Sequence, residues 1–359
     1  MANVIKKVKI KKEDDTYTDY IPIGADAKNV TTKNGDSVED VLGNINLNED
    51  GNIKEQLDAI NKKQHSADGF ELCGSYNVIK AGTLDQLFTV AEKEQHIAWW
   101  DEANIKKCSL SLNVCPLRAE RLEYEAGTRA WEDLHWTTVP SIAQLTEHFQ
   151  LLDRKGINCY HIKFHANWLR DTVPDTVSID TKCNKFRETV LNFMQNVNHH
   201  FEWIGIFNEW GASYIYSNMV NFINELKVYG KVCLEGDRGV LNYPNLIEAV
   251  DGFCPHFYAG CGQLGADTDL AFAKRRMEEW YVFDRMRTWC QVSNKPILLG
   301  EGGCNSYWNG LAYPEQWSFT DELIANGGPQ ELWLRAAIDL LSDYKDRIIY
   351  FNWWWRGLW

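Results

Sequence analysis

Eight short apolar runs, each followed in turn by a segment of helical period up to the last, organise the chain from residue 70 onward. The runs lie at 71–78, 107–114, 158–164, 203–207, 231–235, 252–257, 296–300 and 347–353. They have the length and residue types of buried strands. Residues 84–100, 141–155, 184–199, 217–229, 245–250, 269–290 and 330–344 read as the helices between them. Strict strand–helix alternation predicts an α/β chain folded as a (β/α)8 TIM barrel, an architecture able to use most of 359 residues. The sequence stops at Trp359, just after the eighth run, so the eighth helix is expected to be missing. The outer wall there would then need cover from an N-terminal helix or a neighbouring subunit.

Residues 1–66 differ in kind. They hold no Trp and no Cys and are rich in Asp, Asn, Lys and Gly. Ser37 can cap a short helix over 38–42. A second helix is expected over 52–63, with Ile53, Leu57 and Ile60 on one face. About two heptads are too few to be stable in isolation, so this helix calls for a partner. Residues 64–69 read as a linker, which divides the chain into a small module, 1–66, and a barrel, 67–359.

Composition narrows the partners. A net charge of -13 opposes binding to nucleic acid or to an anionic membrane surface. No run is long enough to span a bilayer, and the N-terminus lacks the apolar core of a signal peptide. None of the ten Cys forms a C-x-x-C pair, and most fall inside apolar runs. They read as buried thiols of a chain made in a reducing compartment, with no metal centre expected. No phosphate-binding glycine loop is present, and no cofactor is expected. The 16 Trp exceed what a core requires, and a surplus near strand ends suits stacking on sugar rings.

In such a barrel, function gathers at the C-terminal strand ends. Read in order, these carry Asn113, His165, Asn208 and Glu209, Glu235 and Asp237, His256 and Tyr258, Glu301, and Trp353 to Trp355. Alternation within the third run puts His161, Lys163 and His165 towards the barrel interior and Tyr160, Ile162 and Phe164 towards the helices. In the sixth run, Cys254, His256 and Tyr258 share a face. In the seventh, Glu301 shares one with Ile297 and Leu299. Glu235 and Asp237 read as ordinary loop charges. Trp99, Trp100, Trp131 and Trp136 read as packing.

The segment 70–359 resembles the clan A glycoside hydrolases. Four features carry the resemblance: Asn208-Glu209 ending the fourth strand, His256-Phe257-Tyr258 ending the sixth, Glu301 ending the seventh and the tryptophans ending the eighth. It implies retaining hydrolysis of a glycosidic bond, with Glu209 as acid/base and Glu301 as nucleophile. The two carboxyls would stand about 5–5.5 Å apart. Asn208, His165, His256, Tyr258, Trp210, Trp353 and Trp355 would contact or frame the sugar, and Tyr258 and His256 would keep Glu301 ionised. The early-strand Arg common in the clan has only Arg118 as a loose counterpart.

Residues 21–43 together with 53–57 resemble the N-terminal attachment and trimerisation segments of bacteriophage fibre and appendage proteins. That implies a homotrimer bound to other virion proteins through residues 1–66, made in the host cytoplasm and acting outside the cell on a surface or environmental polysaccharide. The alternative implied is a receptor-binding or decorative appendage that holds sugar on a glycosidase-like barrel without cleaving it.

Overall fold

A computed structural model describes residues 8–11, 17–21, 66–67, 70–77, 87–102, 104–172, 176–208, 217–236, 239–258, 269–303, 307–308, 311–312 and 328–354. Its contacts divide the chain into two units, Met1–Lys62 and Lys63–Trp359. In the first unit, Val8–Lys11 and Tyr17–Ile21 pair as an antiparallel ladder. The helices expected over 38–42 and 52–63 lie outside the described residues.

The second unit is built on eight strands: β1 (Phe70–Asn77), β2 (Lys107–Pro116), β3 (Asn158–His165), β4 (Trp203–Ile206), β5 (Lys231–Leu234), β6 (His256–Phe257), β7 (Ile297–Gly302) and β8 (Ile348–Trp354). Their hydrogen-bonded order is β6-β7-β8-β1-β2-β3-β4-β5, with every neighbour parallel. The two ends of that order also meet. Glu235 bridges Cys254 in parallel, Gly236 N–H donates to Cys254 O at 3.0 Å and Asp251 N–H donates to Val232 O at 2.8 Å. The sheet is therefore a closed (β/α)8 barrel, as the alternation predicts.

Helices α1 (Val90–Glu102), α2 (Ile142–Arg154), α3 (Ile179–Asn196), α4 (Met219–Leu226) and α5 (Pro244–Ala249) follow β1 to β5 in turn. The single helix expected over 269–290 is two, α6 (Leu270–Glu278) and α7 (Tyr281–Val292). Trp280 between them is extended, with φ -84° and ψ 137°, which ends one helix and starts the next. The helix before β8 is α8 (Gly328–Leu341). Helix α2 shows how local sequence sets such boundaries. Ser141 and Gln144 form a reciprocal capping box at its start, and Gly156, at φ +65°, turns the chain at its end. The loop after β2 holds structure that the periodicity does not announce: a helix, Arg118–Glu125, and a strand, Trp136–Val139, antiparallel to β2. Ser66–Ala67, inside the expected linker, pairs antiparallel with the start of β1. The expected lack of an eighth helix concerns residues 355–359, outside the described residues.

Two apolar compartments hold the barrel. One lies between strands and helices and includes Leu110, Leu112, Ile162, Phe164, Ile204, Ile206, Ile297, Leu299 and Phe351. The other fills the interior with Cys73, Tyr160, Trp203, Cys233, Cys254, Leu298 and Tyr350, one residue from each of seven strands or their edges. This corrects two sequence expectations. Tyr160 belongs to the interior, because β3 carries an extra residue there: Cys108 pairs with Cys159 but Ser109 pairs with His161. Ile297 and Leu299 face the helices while Glu301 does not share their face. Leu299 pairs with Phe351 and Gly302 with Trp353, so Gly300 and Glu301 together oppose Asn352, and the bulge reverses the alternation.

Above the interior apolar layer the side chains shrink, with Ser75 and Ser109 from β1 and β2, Gly205 from β4 and Gly300 from β7. The space is used by Glu235. A Cβ at position 205 would stand 2.0 Å from Glu235 Oε1, and one at 300 would stand 2.6 Å from Glu235 Oε2. Gly205→Ala is expected to destabilise the barrel by roughly 1–3 kcal/mol, because a pinned, buried carboxylate cannot move aside. A fall in the urea midpoint at constant m-value checks this, and an unchanged midpoint contradicts it.

Candidate active site

The polar layer begins with β3. Its bulge leaves His161, Lys163 and His165 inside, all buried, beside Ser109, Ser111 and Asn113 of β2 in register. Six charged or ionisable groups meet there. Lys163 Nζ lies 3.0 Å from Glu301 Oε1 and donates to Ser75 Oγ at 3.1 Å and to Gly300 O at 3.3 Å. Tyr258 Oη donates to Glu301 Oε2 at 3.0 Å. His256 stands between two carboxylates, with Nε2 3.1 Å from Glu235 Oε2 and Nδ1 3.6 Å from Glu301 Oε2. His161 Nε2 lies 2.8 Å from Glu235 Oε1.

These contacts divide the labour between the two glutamates. Glu301 is 7% exposed, at the mouth of the polar layer, whereas Glu235 is completely enclosed. Glu235 is therefore a buried anion and not the loop charge expected from sequence. Asp237 lies outside the described residues. Burial alone would raise the Glu235 carboxyl, but His161, His256 and Lys163 outweigh it and hold the group well below the ordinary carboxylate range. Burial likewise opposes the charged form of His161, and the Glu235 carboxylate outweighs it, pushing the imidazole up to about 9. Among the described residues no carboxylate pairs with His165, and burial takes it down to about 4, so it is neutral at pH 7.

The signs fix how stability responds to pH. The depressed Glu235 contributes stability above its ordinary value of 4.5, which is lost as acid protonates it. The raised His161 contributes below its ordinary value of 6.5, which is lost as pH rises through about 9. Unfolding free energy is expected to decline between those two values, and Glu235→Gln is expected to flatten that decline. Parallel alkaline profiles for the two proteins in denaturant titrations would contradict the pairing.

His161, Cys233 and Glu235 place ligand-type atoms within 4.8 Å of one another. Those atoms already form a network: the Cys233 and Cys254 thiols lie 3.6 and 3.4 Å from Glu235 Oε1. The donor set fits a hydrogen-bonded cluster better than a metal centre. Cys73, Cys108, Cys115, Cys159, Cys183, Cys233 and Cys254 are buried free thiols, matching the sequence reading.

Strand β4 leads into Asn208. Trp203 and Gly205 face inward and Ile204 and Ile206 outward. Alternation would send Phe207 inward, yet it packs outward, its ring 4.3 Å from Phe186 of α3. The reversal coincides with φ +60° at Phe207, a left-handed conformation that is strained for a bulky residue. It turns the chain at Asn208, which is nearly buried and whose Oδ1 has no partner among the described residues. His165 Nε2, at the end of β3, is in the same condition. Glu209 and Trp210 follow directly and lie outside the described residues, as does Trp355. Trp353 is in register with Gly74 and Gly302, and Trp354 with Ser75.

Neither a protein-family model nor a curated protein sequence matches this chain. Solved structures do. Glycoside hydrolases are among the proteins of similar fold. An endo-laminarinase from Formosa Hel1_33_131 is 15% identical over 81% of this chain and 79% of its own, with a TM-score of 0.48. A glycoside hydrolase family 5 enzyme from Prevotella bryantii B14 is 11% identical over 81% and 90%, with a TM-score of 0.47. A GH113 beta-1,4-mannanase is 12% identical over 80% and 87%, with a TM-score of 0.46. Identities and scores of this size carry no residue roles from those proteins to this one.

Of the residues singled out in the sequence, the structure brings His256, Tyr258 and Glu301 together, with Asn208 and His165 on strand ends of the same barrel. Arg118 is exposed on the helix after β2. One cation that touches Glu301 is Lys163, which sequence reasoning left without a role although its interior parity was visible. Glu235 was missed for want of a signal: a carboxylate ending a strand looks the same whether it is solvated or enclosed. Trp131 and Trp136 pack with Trp168 in the loops above β2 and β3, the Trp131 and Trp168 rings stacked with centroids 6.3 Å apart.

Proposed function

We propose that the barrel is a retaining glycoside hydrolase acting on a polysaccharide, with Glu301 as nucleophile and Glu209 as acid/base. The observation that carries this is the clamp on Glu301. A carboxylate at the mouth of a barrel is held from two sides by Lys163 and Tyr258, with His256 beside it. Such an anion is kept ionised and aimed, which is what attack on an anomeric carbon requires. In the first step a Glu301 oxygen bonds to the anomeric carbon while Glu209 gives its proton to the departing oxygen. In the second, Glu209 takes a proton from water, whose oxygen replaces Glu301. Asn208 Oδ1 and His165 Nε2, buried without partners among the described residues, supply hydrogen-bonding capacity for sugar hydroxyls. Trp210, Trp353 and Trp355 are the proposed stacking surfaces.

The setting is part of the same proposal. The fibre-like sequence of residues 1–66 supports a homotrimeric virion appendage that meets other virion proteins through this segment and host glycans through the barrel. Mass measurement of the intact chain and of a 67–359 fragment tests it: a trimer reduced to a monomer is expected, and a monomeric intact chain contradicts it.

Incubation with a panel of bacterial surface and plant polysaccharides tests the activity. New reducing ends are expected from the wild-type chain and not from Glu301→Ala. Binding without product would instead establish a carbohydrate-holding appendage.

A further inference from the structure

Glu235 is a fully buried carboxylate, and the glycosidase reading gives it nothing to do. It is wholly enclosed, so it cannot meet a substrate. Two positions, 205 and 300, lack a Cβ where one would overlap it. Both its oxygens are engaged, Oε1 by His161 and Oε2 by His256.

An ionised carboxylate only accepts, so His256 must carry a proton on Nε2. That leaves Nδ1 facing Glu301 Oε2 at 3.6 Å. In a neutral imidazole with its proton on Nε2, Nδ1 would point a lone pair at a carboxylate oxygen. In an imidazolium it presents an N–H and a positive charge at ion-pair distance. The surrounding charges set the balance. Glu235 and Glu301 flank the ring and favour the second proton, whereas Lys163 and His161 oppose it from the far oxygens of the same two carboxylates. Neutral His165 adds no charge, and the Tyr258 hydroxyl donates to the same Glu301 oxygen without competing for Nδ1. Each carboxylate touches one nitrogen of the ring itself, Glu235 at 3.1 Å and Glu301 at 3.6 Å, so the anions prevail.

We propose that Glu235 is a positioning residue that keeps His256 doubly protonated and turned so that its Nδ1–H faces the Glu301 carboxylate. The role assigned to His256 rests on Glu301 being the nucleophile. The protonation state itself does not, and the test separates the two.

The full-length chain labelled with 15N-histidine reads the state directly, the His256 signals being assigned by their loss in His256→Asn. At pH 7 the wild-type chain is expected to show both His256 nitrogens protonated, and Glu235→Gln is expected to show one. On a cleaved glycan, Glu235→Gln should lower kcat on the order of ten-fold with KM little changed. A neutral His256 in the wild-type chain overturns the proposal, as does an imidazolium that persists in folded Glu235→Gln. If Glu235→Gln does not fold, the wild-type spectrum decides. If no glycan is cleaved, the glycosidase reading fails while the spectra still decide the protonation state.

Discussion

Replacing Glu301 by Ala is expected to lower kcat by a factor on the order of 10^4 to 10^6, the size of loss seen when a covalent nucleophile is removed. No other described carboxylate can substitute, because Glu235 is enclosed by His161, His256 and two thiols. The variant also leaves Lys163, which is fully buried, without the carboxylate 3.0 Å away. A small anion entering the vacated space would meet both that ammonium and the Tyr258 hydroxyl. Azide or formate is therefore expected to restore part of the activity of Glu301→Ala. Folded protein with full activity, or an inactive variant insensitive to any anion despite intact secondary structure, would count against the assignment.

The second large effect belongs to Lys163. Lys163→Met fills similar volume but removes the ammonium that pairs with Glu301. Breaking a buried pair by deleting one partner costs roughly 3–5 kcal/mol, because the remaining charge stays buried. Here Tyr258 and His256 remain to offset part of that cost, so the lower end is expected in denaturant unfolding. The loss also favours the protonated form of Glu301. Attack needs the ionised form, so the acid limb of kcat/KM is expected to move to higher pH, by about one unit or more. An unshifted limb with unchanged stability would mean that Lys163 does not govern the nucleophile.

How far these roles were legible in the sequence depended on strand parity. The eight strands and their order could be read because strand and helix periods differ along the chain. The interior face of β6, with Cys254, His256 and Tyr258, also followed simple alternation. Four strands departed from it, β8 through an extra residue at Ile349, and the other three departures bear on the site. The extra residue at Tyr160 puts both it and His161 inside. The left-handed Phe207 keeps its ring among the helices and turns the chain at Asn208. The bulge at Gly300 and Glu301 brings that carboxylate inward beside Lys163. Period-two reasoning cannot detect a bulge, since one inserted residue exchanges the two faces without altering composition. The same limit hid Glu235, whose environment is made by glycines on two other strands.

The shared theme is a barrel whose interior changes from apolar filling to a network of paired charges as the strands approach their C-terminal ends. Tyr160, Trp203, Leu298 and Tyr350 supply the rigid floor. Above it, His161 and His256 anchor on Glu235, while Lys163 and Tyr258 hold Glu301. An anion fixed this way needs no reorganisation before it reacts.

The anomeric configuration of the first product tests the central claim most directly. On any glycan that the chain cleaves, proton NMR during the opening minutes of the reaction distinguishes the newly released anomer before mutarotation. A nucleophilic Glu301 requires two displacements and hence a product of the same configuration as the bond cleaved. Release of the inverted anomer would contradict the account, since water would then have attacked directly and Glu301 could not have formed the covalent intermediate.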